Sequence, residues 1–226
     1  MFNSQFKQIL DLIDGETFII SDTHFSHESI LKFEPSRNTQ MLEDGFNDHD
    51  EWLINQWNSV IAPNDVVLHL GDFAFKNIQE VQHKLNGRKI LILGNHDRKG
   101  NQTYSAFEFV IKGLWVQAGI THDHYLHSAM TDELTSMLIK NINGKRVMFS
   151  HYPVCETELR WAEGRPPSKI SDRLLIAKDL YYDYGCQVNV HGHTHSKCMV
   201  DRDTRVFKNV SLENIGMKPV KIKNII

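Results

Sequence analysis

Short apolar runs rich in β-branched residues recur along the chain, and each is closed by a polar cluster. Thr17-Phe18-Ile19-Ile20 meets Ser21-Asp22-Thr23-His24, and Val66-Val67-Leu68-His69-Leu70 meets Gly71-Asp72. Lys89-Ile90-Leu91-Ile92-Leu93 leads into Gly94-Asn95-His96-Asp97. Arg146-Val147-Met148-Phe149 leads into Ser150-His151, and Gln187-Val188-Asn189-Val190 into His191-Gly192-His193-Thr194-His195. Runs this short and this apolar predict buried strands. Trp52, Leu53, Gln56, Trp57 and Val60 share one face of a helix predicted from Asp48 to Val60, after which Pro63-Asn64-Asp65 turns the chain. A shorter amphipathic helix is predicted from Ile78 to Leu85, stopped by Asn86-Gly87. The tail from Lys197 to Lys223 reads as strand throughout. Within it Asp201-Arg202-Asp203-Thr204 turns a hairpin between Met199-Val200 and Val206-Phe207. Strands alternating with helices predict an α/β fold, and no repeat, low-complexity tract or linker interrupts it.

The chain has 226 residues, a length that suits a single domain over 1–226 with elaborated loops. Its composition, 41% hydrophobic and 23% charged, supplies enough apolar surface for a folded core and excludes a disordered chain. A formal charge of -3 provides no global basic field for holding nucleic acid. No apolar run approaches the ~20 residues of a membrane-spanning helix, and the first residues lack the pattern of a signal peptide, so a cytoplasmic location without a membrane partner is expected. Cys155, Cys186 and Cys198 form no CxxC pair and leave one cysteine over, which predicts reduced thiols.

The 13 histidines change the picture most, because imidazole near neutral pH is above all a metal ligand or a proton carrier. Loops at the carboxyl ends of strands form the ligand crevice of open α/β sheets, so the five polar clusters are expected to converge. Two Asp, one Asn and four His among them suit borderline divalent ions, and no thiolate specifies a closed structural zinc site. So many donors predict two cations sharing a carboxylate, an arrangement suited to phosphate-ester hydrolysis.

Taken in order, Asp22-Thr23-His24, Gly71-Asp72, Gly94-Asn95-His96-Asp97, His151 and Gly192-His193-Thr194-His195 resemble the five signature blocks of the calcineurin-like metallophosphoesterases. The resemblance runs from about Phe18 to about Cys198. It implies two mixed β-sheets packed as a sandwich and flanked by helices, a four-layer αββα fold. It also implies one cation on Asp22, His24 and His195, a second on Asn95, His151 and His193, and Asp72 bridging them. The ion expected is Mn, with Fe, Zn, Ni and Co also compatible. His96, free of metal, is implied to stabilise or protonate the leaving oxygen. The opening Ser21-Asp22-Thr23-His24-Phe25 is similar to stand-alone phosphoesterases of prokaryotes and their viruses. The Asp-Arg pair that protein Ser/Thr phosphatases carry after the second block is missing from Gly71-Asp72-Phe73-Ala74-Phe75, which counts against phosphoprotein substrates.

Each block alone has a plainer reading. Asp22 suits a turn or helix cap, Gly71-Asp72 and Gly94-Asn95 suit turns, and alternation along a strand would put His191, His193 and His195 on one face as a mononuclear structural site. His69, His83, His122, His124 and His127 are expected at the surface or behind the ligands. His27, Arg98, Arg160 and Arg165 are candidate substrate contacts, the last two in a long segment between His151 and His191 that also carries Arg173 and reads as a covering loop. Trp52, Trp57, Trp115 and Trp161 read as packing. The expected function is hydrolysis of a small phosphorylated metabolite or nucleotide, as a phosphodiesterase or phosphatase. A metal-dependent nuclease is a less favoured alternative on charge and length, and a non-catalytic scaffold would be expected to have lost ligands that this chain retains.

Overall fold

The computed structural model describes residues 4–97, 103–118, 124–128, 136–154, 169–195 and 206–226. A first helix, α1 (Ser4–Asp11), precedes β1 (Phe18–Ile20). Then come α2 (Ile30–Phe33), α3 (Pro35–Glu43), α4 (His49–Asn58), β2 (Val66–His69), α5 (Ile78–Lys84) and β3 (Arg88–Ile92). Strands β4 (Phe107–Ile111), β5 (Leu114–Ala118), β6 (His124–Ser128), β7 (Met137–Ile142) and β8 (Lys145–Ser150) follow. Helix α6 (Lys169–Asp183) leads to β9 (Val188–His191), β10 (Phe207–Asn209) and β11 (Val220–Lys221).

Among these, one sheet has the order β11-β1-β2-β3-β4 and the other β10-β9-β8-β7-β5-β6. In the first, β1 to β4 are parallel and β11 runs against β1. In the second, β8, β9 and β10 are parallel, while β7 opposes β8 and β6 opposes β5. Strand alternation sends Ile19, Leu68 and Ile90 to one face of the first sheet, against Leu138, Phe149 and Val190 of the second, and this is the core between the sheets. Ile20, Val67 and Leu91 point the other way, onto Trp52, Leu53 and Trp57 of α4 and Val81 of α5. The outer face of the second sheet, with Val116, Ile139 and Met148, packs on Ala177 and Tyr181 of α6. The four layers are therefore helix, sheet, sheet and helix, the α/β sandwich of two mixed sheets that the motif blocks implied.

Local chemistry fixes the ends. Asp48 caps α4 by accepting the Glu51 amide at 2.8 Å, and Asp50 and Glu51 place negative charge in its first turn. Helix α4 ends at Asn58, not Val60. Trp52, Trp57 and Trp115 are buried, whereas Trp161, Cys155 and Cys198 lie outside the described residues.

The tail corrects the all-strand expectation. Past β10, Leu212–Ile215 and Ile222–Asn224 are 3-10 turns, and β10 extends the second sheet in parallel with β9. Leu212 is driven into the helix-side core, and Gly216 in a left-handed conformation closes its turn, so burial of one side chain overrode the strand pattern. The proposed hairpin at 199–207 falls largely outside the described residues. The segment before His191 is likewise not all loop, because residues 169–183 form α6, whose Leu174 and Ala177 are fully buried.

Candidate metal centre

Because β1, β2 and β3 are parallel in one sheet and β8 and β9 are parallel in the other, five strand ends meet at one edge of the sandwich. Backbone bonds stitch the loops: the Asp22 amide donates to Gly71 O at 3.0 Å, His24 to Asp72 O at 3.1 Å, and Gly192 to His151 O at 3.0 Å. The approach is close enough to require glycine. At Gly71, with φ at +98°, a Cβ would strike the backbone of Gly94, and at Gly192 it would strike Ser21 and the Asp22 carboxylate. Asp22, His24, Asp72, His193 and His195 all take positive φ, a conformation rare for such residues. Five of them in one place is strain of the kind folds hold at functional sites.

Two donor clusters result. In the first, Asp22 Oδ1 lies 3.8 Å from His24 Nε2 and 3.7 Å from His195 Nε2, and the two imidazole nitrogens are 3.1 Å apart. In the second, His151 Nε2 is 2.8 Å from Asn95 Oδ1 and 3.5 Å from Asp72 Oδ2. Asp72 Oδ2 also stands 3.8 Å from His24 Nε2, so this oxygen faces both clusters. His193 joins the second cluster through its ring, 5.1 Å from that of His151. His96 is different: its backbone N–H donates to Asp72 Oδ1 at 2.8 Å, while its half-exposed ring places Nε2 4.0 Å from Asp72 Oδ2.

The donor set suits cations. His151 Nδ1 lies 2.9 Å from Leu70 O, so its proton sits there and Nε2 presents a lone pair to the Asn95 oxygen. Two acceptors facing each other repel unless a cation lies between them. Asp22 Oδ1 is buried without a hydrogen-bond partner, although Oδ2 accepts from the His193 amide at 2.9 Å and from Ser211 Oγ at 3.0 Å. Donors about 2.1 Å from a common ion stand roughly 3.0–3.4 Å apart, close to the separations seen here.

Electrostatics point the same way. Burial raises the Asp72 carboxyl well above the ordinary range, and the charges of Asp22 and Asp97 add to that rise. Burial opposes ionisation of Asp22 as well, but the surrounding imidazoles of His24, His151 and His195 hold it well below its usual value. Burial takes His24 down to about 4 and His193 to about 3, so both rings are neutral near pH 7, the form that binds metal. His195 is the exception: burial lowers its pKa, but Glu213 and Asp22 outweigh burial and raise it.

Supporting residues hold these donors, and two of them, Arg37 and Glu213, carried no motif signal. Fully buried Arg37 donates to the carbonyls of Thr23 at 2.9 Å and Asp22 at 2.6 Å and pairs with Glu213. Glu213 in turn lies 3.3 Å from His195 Nδ1. Asp97 accepts the amides of Asp72, Phe73 and Gly94 at 2.8–2.9 Å, and Tyr104 Oη at 3.2 Å. His69, expected at the surface or behind the ligands, is fully buried behind them. It accepts the Gly71 amide at 3.1 Å through Nδ1 and donates through Nε2 to Thr23 Oγ1 at 3.0 Å. His191 does not join a row of three imidazoles, because the strand ends at His191 and His193 turns to positive φ. His83 and His127 contact Ser105 Oγ and Lys112 O, and neither lines the cavity or joins a donor cluster.

A cavity of about 590 Å³ opens beside the first cluster, lined by His24, His27, His96, His193 and His195 on its polar side. Arg98, Arg160, Arg165 and His122 lie outside the described residues. Arg173 on α6 bonds the Tyr152 hydroxyl at 2.6 Å.

The family model of the calcineurin-like phosphoesterase superfamily domain matches residues 16–211. An uncharacterised protein of Methanocaldococcus jannaschii is 32% identical over 105 residues, a match spanning 42% of this chain and 56% of that protein. The gene 66 protein of Mycobacterium phage L5 is 28% identical over 198 residues, covering 83% of this chain and 81% of its own. A crystal structure of an Aquifex aeolicus protein of unknown function aligns over 92% of this chain and 96% of its own, with a TM-score of 0.63 at 25% identity.

Proposed function

Since the chain belongs to the calcineurin-like phosphoesterase superfamily, we propose that it hydrolyses a small phosphate ester with two divalent cations, acting as a phosphodiesterase or phosphatase. The observation that carries this reading is the position of Asp72 Oδ2, within 3.8 Å of ring nitrogens from both donor clusters. Asp22, His24 and His195 would hold one ion, Asn95, His151 and His193 the other, and Asp72 both. Manganese is the expected ion, and the mixed imidazole and oxygen donors also suit Fe, Zn, Ni or Co. Bound together, two such ions supply the charge that makes a water reactive near neutral pH and that holds the phosphoryl oxygens during in-line displacement.

The chain's own groups do the rest. The neutral rings of His24 and His193 keep lone pairs free for the ions, and the bond from His151 to Leu70 O fixes which nitrogen faces them. His96 lines the cavity with Nε2 4.0 Å from Asp72 Oδ2. Burial holds the His96 pKa below the ordinary value, so near neutral pH the ring is neutral and serves as an N–H donor to the departing oxygen.

Chelator-stripped protein, reloaded in turn with Mn, Ni, Co, Zn or Mg, should hydrolyse bis-p-nitrophenyl phosphate or p-nitrophenyl phosphate. Asp72→Asn should lower kcat by about 10³-fold and reduce bound metal, and His96→Ala should lower kcat by about 10²-fold with metal content intact. A chain that binds no divalent ion would sink the reading.

A further inference from the structure

One wall of the cavity beside the donor clusters is built of rings. His27 stacks on Phe75 with 4.0 Å between centroids and 13° between planes, and the Phe33 ring lies 6.0 Å from His27. Phe75 continues the row toward the chemistry, 5.3 Å from His24 and 4.9 Å from His96. Ile30 is buried beneath, and Phe33 is 58% exposed at the cavity wall. Single exposed apolar residues need no explanation, but this one ends an aromatic row that reaches a proposed phosphoester site.

We propose that this cavity receives a planar aromatic group, a nucleobase or simple aryl ring, carried on the substrate's phosphate ester. The inference rests on the hydrolysis reading above and names the class of substrate for it. Ring faces attract a flat π-system through stacking and burial of area, whereas a flexible alkyl ester gains only part of the second. His96 lines the cavity as well as facing the clusters, which puts the ring on the side of the departing oxygen.

The test uses two inert ligands of similar charge, phenylphosphonate and methylphosphonate, titrated by calorimetry into manganese-loaded protein and as inhibitors of bis-p-nitrophenyl phosphate hydrolysis. The wild-type chain should bind the phenyl compound about tenfold more tightly. Phe33→Ala, a change at an exposed side chain that leaves the core intact, should reduce that ratio to about threefold, and Phe75→Leu should bring it near one. A wild-type ratio near one, a ratio unchanged in both variants, or no binding of either phosphonate would overturn the proposal. The two readings fail separately. Ring preference without hydrolysis of either nitrophenyl ester removes the activity and keeps the pocket, and hydrolysis without ring preference does the reverse.

Discussion

The two donor clusters are held in place by different means. Around Asp72, Asn95 and His151 the support comes from the motif loops themselves: Asp97, within the same motif as Asn95, gathers three amides, and Leu70 just before Gly71 orients His151. Around Asp22, His24 and His195 part of the support comes from outside those loops, through Arg37, Ser211 and Glu213. The former set of contacts is complete once the motif loops meet, whereas the other also depends on α3 and the C-terminal tail docking against β1. That difference predicts which substitutions disturb folding and which disturb metal binding alone.

The largest effect is expected at Asp97. Replacing it with Asn turns an amide NH₂ toward backbone N–H groups that now donate to carboxylate oxygens, leaving buried donors unpaired. Asp97→Asn should cost about 3 kcal/mol or more of unfolding free energy, measured by urea titration of metal-free protein. A loss under about 1 kcal/mol would show that the local scaffold is not what holds the second cluster.

Acid should strike the same local scaffold. Burial takes His69 down to about 3 in the folded chain, against an ordinary value of 6.5. The unfolded chain therefore binds a proton at His69 that the folded chain refuses as pH falls below about 6.5, so this group favours unfolding increasingly down to about pH 3. It contributes no penalty above about pH 6.5. Up to about 3 kcal/mol should be lost by about pH 4. His69→Leu should flatten the stability curve of the metal-free protein between these limits, and an unchanged slope would remove His69 as its source.

The same contrast explains what could be read from the sequence. The five loops were legible because each motif residue follows a short apolar run, and parallel strands necessarily bring such ends together. Helix α4 was legible from Trp52, Leu53 and Trp57, and its cap from Asp48. Arg37, Ser211 and Glu213 were not, because a buried Arg on a helix and a Glu in a 3-10 turn carry no spacing signal. Their role exists only once α3 and the tail pack on β1. Phe33 and Phe75 were hidden similarly: no spacing or motif sets them apart in the chain, and their rings meet His27 only in the folded cavity wall. The tail was misread because Leu212 inserts into the core from a turn, which alternation cannot distinguish from a strand.

The smallest and most selective effect is expected at Glu213. Its side chain is 4% exposed, where it meets both Arg37 and His195 Nδ1. The carboxylate fixes the His195 proton on Nδ1 and leaves Nε2 free toward Asp22, and it raises the basicity of that ring. Glu213→Gln keeps the volume and an acceptor oxygen but removes the charge. Affinity for one of two ions should fall roughly 10–100-fold, with the other ion held within about threefold of wild type, as read by chelator competition with two resolved steps. Comparable weakening of both ions would mean that the clusters are one mechanical unit despite their separate supports. Weakening of one alone, with urea stability reduced far less than in Asp97→Asn, would establish that the tail contributes to the site by orienting His195 and not by carrying the fold.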